Sequence, residues 1–177
     1  MLILAIETSC DETAMALVEA TGGIRAPRFR IIKNIVSSQI KIHAPYGGVV
    51  PNLAKREHLK NLPVVLRKIF GKEHIANSKA QSYTLSAISH KPAIDMIAVT
   101  IGPGLEPALW TGIEFAKKVT SDMRQATGKN IKLMGVNHLE GHLYSFLFGA
   151  SRLSPLTSHF PAIGLIVSGG HTILVRL

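Results

Sequence analysis

Cysteine is nearly absent. Cys10 stands alone in 177 residues, which excludes an internal disulfide framework and suits a reducing compartment. No apolar run approaches the roughly 18 residues that a membrane helix needs, and no basic leader precedes a signal-type apolar stretch. A soluble, cytoplasmic chain without a membrane partner is therefore expected. Acids are scarce, 11 against 20 lysines and arginines, for a net charge of +9. Aromatics make up only 6% of the residues, too few to thread a stacking pattern through the basic segments. What is present is a globular composition, 46% hydrophobic and 18% charged. That is enough for one domain with a core, or for one domain plus a fragment of a second.

The positive charge is concentrated. Residues 25–79 hold twelve lysines and arginines against Glu57 and Glu73, whereas residues 1–24 hold four acids and no base. A polyanion contact and a solvated basic face both fit this pattern.

Apolar runs at residues 2–7 and 14–19, separated by the polar "TSCDET", read as strand, turn and strand, with a third β-rich strand over 28–39. After "APYGGVVPN", residues 52–70 carry Leu53, Leu59, Leu62, Leu66 and Phe70 at helical spacing, and Pro63 is expected to kink or divide that helix. Residues 71–94 are ambiguous. A buried-type strand follows at 95–102, a helix over 107–128 closed by a glycine, and a strand at 131–136. Asn137 can then cap a helix that begins at His138. Residues 161–177 repeat the strand, small turn and strand of the N-terminus. The alternation of strands and helices predicts an α/β fold, with helices covering a mixed sheet. The echo between the two ends suggests a duplicated architecture.

"GVNHLEGHLYSFL" places His138 and His142 one helical turn apart, where two imidazoles can reach one metal ion. With eight histidines in the chain, a locally hydrogen-bonded or solvent-facing pair is the competing reading. Zinc peptidases of the H-E-x-x-H type place a glutamate directly after the first histidine. Here Glu140 lies two residues from each, about 200° around the helix, so the peptidase base is missing. A helix N-terminus disfavours a bare cation, so a metal there calls for a further carboxylate or an anionic substrate. "SGGHT" at residues 168–172 can form an anion-binding nest or an ordinary hairpin turn. Asp11 and Glu12 in "ETSCDET" suit a general base or a cation-positioning role, or else simple solvation. "GPGLEPALWTG" matches neither the dinucleotide nor the P-loop pattern.

In order along the chain, "AIETSCDETA", "YGGVVP", "GPGLEPALWTGIEFAK", "GVNHLEGHL" and "LIVSGGHT" closely resemble the TsaD family. These are the tRNA adenosine threonylcarbamoyltransferases once described as O-sialoglycoprotein endopeptidases. The likeness spans the whole chain and about the first half of a family member. It implies an actin-like (ribonuclease H-like) domain over residues 1–150, with 161–177 as the first hairpin of a second such domain. The implied reaction is transfer of threonylcarbamoyl from threonylcarbamoyl-AMP to N6 of the adenosine beside the tRNA anticodon.

By motif, His138 and His142 resemble two ligands of one iron or zinc ion per subunit, with a third, aspartate ligand expected in the second half of a family member. Ile166, Val167, Ser168, Gly169 and Gly170 resemble the loop that binds the adenylate. Asp11 and Glu12 correspond to the acidic turn implicated in activity. The resemblance also implies tRNA, a homologous paralogue and a small ATPase as partners, and it implies that the 177-residue chain is inactive alone. Glu106 and Pro107 depart from the small or apolar residues common in the family. A metal-dependent glycoprotein endopeptidase, a non-catalytic scaffolding paralogue and a sugar kinase are the alternatives.

Overall fold

A computed structural model describes residues 1–23, 26–70, 93–145, 161–167 and 172–176. Five strands form one mixed sheet in the order β3-β2-β1-β4-β5. β1 (Leu2–Glu7), β2 (Glu12–Thr21) and β3 (Arg28–Ser38) make an antiparallel meander, while β4 (Met96–Gly102) joins β1 in parallel and β5 (Lys132–Asn137) joins β4 in parallel. A separate two-stranded antiparallel sheet pairs β6 (Ile163–Val167) with β7 (Thr172–Arg176). The α/β class expected from the alternating pattern is what the chain adopts.

Period-two alternation decides which sheet face is covered. Leu4 and Ile6 of β1, Met15 and Leu17 of β2, and Ile97 and Val99 of β4 are all buried on one side. Against them pack α2 (Pro51–Ile69) through Leu62, Val65, Leu66 and Ile69, and α3 (Glu106–Thr127) through Ala116, Val119 and Met123. Burial of the leucine, isoleucine, valine and methionine side chains of the strands, each contributing on the order of 1.5–3 kcal/mol, fixes the strand register, because a one-residue slip would turn them outward.

Three details differ from the sequence expectation. α2 runs through Pro63 as one helix of 19 residues. Pro63 removes only the N–H that would have bonded the Leu59 carbonyl. A short helix, α1 (Ile40–His43), and a 3₁₀ turn (Ala44–Tyr46) precede α2 where only punctuation was expected. β2 begins at Glu12, not in the apolar run at 14, because its first residues continue the ladder to β3, with Glu12 opposite Ser38. α3 ends at Gly128, which takes the left-handed conformation at φ 68° that a C-terminal cap favours. Glu106 and Pro107 fit their positions: an acid suits the first turn of a helix, and proline there gives up no hydrogen bond. Of the ambiguous stretch 71–94, residues 71–92 lie outside the described residues, and among the described residues no helix is long and apolar enough to cross a membrane.

Candidate functional site

β1, β4 and β5 run in one direction, so their carboxyl ends meet at a single edge of the sheet, where open α/β folds bind ligands. They deliver Glu7, Thr100 and Asn137 there, and β2 starts at the same edge. Asn137 caps α4 (His138–Leu143), its Oδ1 accepting the N–H groups of Leu139 at 2.8 Å and Glu140 at 3.3 Å. The cap expected from sequence is thus formed. It holds His138 and His142 on one face, with their Nε2 atoms 3.1 Å apart and their rings nearly perpendicular. Two nitrogens of one tetrahedral zinc site, each about 2.0–2.1 Å from the metal, lie about 3.3–3.4 Å apart. The nitrogen spacing of the pair thus matches that of two ligands on one metal to within a few tenths of an ångström.

The far side of His138 supports the same use. Its Nδ1 lies 3.3 Å from Glu7 Oε2 and 3.3 Å from Ser9 Oγ. Placing the Nδ1 proton toward the carboxylate leaves the Nε2 lone pair free, the usual arrangement behind a metal-bound imidazole. Burial would raise the Glu7 pKa, but hydrogen bonds from Ser9 and Thr100, together with His138, outweigh it and hold the carboxyl below its ordinary value. Glu7 thus stays an anion, able to accept from His138. Among the described residues, no three histidine, cysteine or acidic side chains form a complete metal site, so the pair supplies two donors of a larger set. Glu140 is exposed, which fits its expected place off the histidine face.

The acidic turn abuts this cluster through Ser9, and its backbone is gripped at every step. The Ser9 carbonyl accepts Leu105 N–H at 2.7 Å, the Cys10 carbonyl lies 3.0 Å from His58 Nε2, and the Asp11 carbonyl accepts Gln39 N–H at 2.9 Å. Asp11 is half-buried in the turn, whereas Glu12 is exposed on β2. Partial burial, then the adjacent Asp11 charge, pushes the Cys10 thiol up, so it is not a ready thiolate nucleophile. The "GPGLEPALWTG" segment closes over the turn at two glycines. A Cβ on Gly104 would fall 2.5 Å from the Ser9 carbonyl oxygen, and one on Gly112 would fall 2.2 Å from Thr8 Oγ1. Thr8 is fully buried and donates to the Ala108 carbonyl at 3.0 Å. Gly112→Ala must therefore push α3 off the turn or break that bond. Its expected cost is about 1–3 kcal/mol, read as a lower urea midpoint.

His58, fully buried on α2, has its pKa lowered by burial, partly offset by the Cys10 carbonyl and by the Glu7 and Asp11 charges. The folded protein therefore binds fewer protons at this ring than the unfolded chain, whose histidine titrates near about 6.5. Stability is full above that pH and falls as the pH drops through it toward the lower folded value. Urea midpoints measured from pH 8 to 5 are expected to decline in this way, and His58→Gln should flatten the decline.

Ile166 and Val167 lie on β6, with Ile166 half-buried and Val167 exposed, and β6 packs alongside α4. Ser168, Gly169 and Gly170 lie outside the described residues. The structure thus joins His138 and His142 to each other, and brings the Asp11 turn to them through Ser9. Glu7, Ser9, Thr100 and His58 belong to this site although sequence reasoning passed over them. The available signal was Glu7 itself, an acid ending an otherwise apolar strand.

The family model described as TsaD, tRNA N6-adenosine threonylcarbamoyltransferase, matches residues 30–177. The chain belongs to the TsaD family. A relative from Fervidobacterium nodosum bearing that enzyme's name is 40% identical over 177 residues, covering 100% of this chain and 43% of its own. One from Geotalea daltonii, of the same name, is 42% identical over 177 residues, covering 100% of this chain and 42% of its own. The chain thus spans less than half the length of these TsaD relatives. Among solved structures, YeaZ from Pseudomonas aeruginosa is similar over 81% of this chain and 48% of its own, at 18% identity and a TM-score of 0.41.

Proposed function

We propose that the full-length protein is a cytoplasmic transferase. It moves the threonylcarbamoyl group from threonylcarbamoyl-AMP to N6 of the adenosine beside the anticodon in tRNA. The observation that carries this reading is the convergence of the two Nε2 atoms at 3.1 Å on the sheet edge that also bears the Asp11 turn. In the reaction, the N6 amine attacks the carbamoyl carbon and a C–N bond forms. The bond from that carbon to the phosphate oxygen breaks, and AMP leaves with the electron pair. Asp11 accepts the amine proton. His138 and His142 would hold an iron or zinc ion, with a third protein ligand from the second half of the family's chain. When bound, the ion supplies positive charge against the anionic donor. Glu7 and Ser9 fix the His138 ring. Ile166 to Gly170 would line the adenylate site, with β6 and β7 opening a second domain.

Purified full-length protein given synthetic threonylcarbamoyl-AMP and unmodified tRNA is expected to yield the modified adenosine and one AMP per transfer. Cleavage of a glycoprotein with no nucleoside modified would overturn the reading in favour of the peptidase. Family resemblance adds a homologous paralogue and a small ATPase as partners.

For tRNA, the exposed Lys55 and Arg56 on α2 offer phosphate contacts. Reversing both charges is expected to weaken tRNA binding and to reduce the slope of log affinity against log salt by about 2. An unchanged slope would take that face out of the tRNA contact.

A further inference from the structure

The hydrogen bonds behind the acidic turn form a chain with a single direction. The Val50 N–H, in the "YGGVVP" segment that leads into α2, donates to His43 Nδ1 at 3.2 Å. The His43 proton therefore sits on Nε2, which faces Gln39 Oε1 at 3.0 Å. That contact orients the amide so that Gln39 Nε2 faces His58 Nδ1 at 3.3 Å, and the Thr13 hydroxyl lies 2.8 Å from the same nitrogen. With two donors at Nδ1, the His58 proton sits on Nε2 and is donated to the Cys10 carbonyl at 3.0 Å. Gln39, His58 and Thr13 are fully buried, and His43 is 3% exposed. Flipping the amide, or moving either ring proton, sets like groups face to face at each step, and in a buried site that costs about 1–3 kcal/mol per unsatisfied group.

Apolar side chains could pin α2 to β2 without this expense. What the chain adds is a fixed donor aimed at one carbonyl, and that carbonyl belongs to the peptide joining Cys10 to Asp11. We propose that His58 is a positioning residue for Asp11: locked by His43 and Gln39 as its Nε2–H tautomer, it sets the peptide from which the Asp11 side chain projects. The inference rests on the reading of Asp11 as proton acceptor, and it gives the "YGGVVP" segment a role at the site through Val50.

The test uses the full-length protein and threonylcarbamoyl transfer. His58→Leu removes the donor and is expected to lower kcat about 100-fold, as expected for a misplaced reacting group, with metal content and the KM for tRNA unchanged. His58→Gln, whose amide nitrogen can replace Nε2–H, should restore most of the rate. His43→Ala, which releases the Gln39 amide to flip, should lower kcat by a smaller factor, and it keeps the test open if the leucine variant does not fold. Nitrogen-15 spectra of the imidazoles should show His58 neutral with its proton on Nε2 at pH 7. Retention of kcat in both His58→Leu and His43→Ala, with Asp11→Asn inactive, overturns the positioning role alone. A His58 proton on Nδ1 overturns it as well. Full activity of Asp11→Asn removes the proton-acceptor reading, and the positioning role with it.

Discussion

Replacing His138 with alanine is expected to lower the metal affinity of the full-length protein by more than about 100-fold and to take threonylcarbamoyl transfer down with it. The estimate starts from groups that only orient a ligand, whose loss typically costs about 10–100-fold in affinity or activity. Losing the ligand itself would remove a bond to the metal and also takes from Glu7 one of its contacts, the His138 Nδ1 that lies 3.3 Å from Oε2. The carboxylate then keeps only its hydrogen bonds from Ser9 and Thr100. His142→Ala should also lose metal but leave the Glu7 cluster intact. The two variants should therefore share the loss of metal and differ in fold stability, with His138→Ala the less stable. Metal content after dialysis, the urea midpoint and transfer rate together check this. A His138→Ala protein with full metal and full rate would show that the paired rings serve another purpose.

Asp11→Asn is expected to keep its metal and its fold while kcat for transfer from synthetic threonylcarbamoyl-AMP drops by about 10²–10⁴-fold, the usual contribution of a positioned general base. The substitution is nearly isosteric, and the backbone bonds that shape the turn, to Leu105, His58 and Gln39, do not use the Asp11 side chain. A loss of rate can then be assigned to the carboxylate. Glu12 provides the contrast: it is exposed and begins β2 opposite Ser38, so Glu12→Gln should cost much less. An Asp11→Asn enzyme with unchanged kcat would remove the base from the reaction.

Much of this was legible from residues whose physical signal is local. The apolar run "LILAIE", the Asn137 cap and the Gly128 stop each reflect a signal within a few residues of chain, and the structure carries all three as a strand, a cap and a helix end. The histidine pair was legible for the same reason, since i and i+4 share a helix face whatever the rest of the chain does. Glu7, Thr100 and Ser9 were not, because their meeting with His138 depends on three parallel strands ending at one edge, a fact of topology. His58 was hidden more deeply. Within "NLAKREHLKNL" it reads as one polar residue on an amphipathic helix, and only packing against β2 reveals that it faces Cys10 and Thr13. Pro63 does not divide α2, because the packing of Leu62, Val65, Leu66 and Ile69 on either side of it outweighs the one backbone hydrogen bond that a proline removes.

The most direct measurement of the central claim is X-ray absorption at the metal edge of the full-length protein, for the native chain and for His142→Ala. The account predicts one metal per chain with two imidazole nitrogens at about 2.0–2.1 Å, and one imidazole or no bound metal in the variant. A metal shell without imidazole, or one unchanged by the substitution, would contradict it.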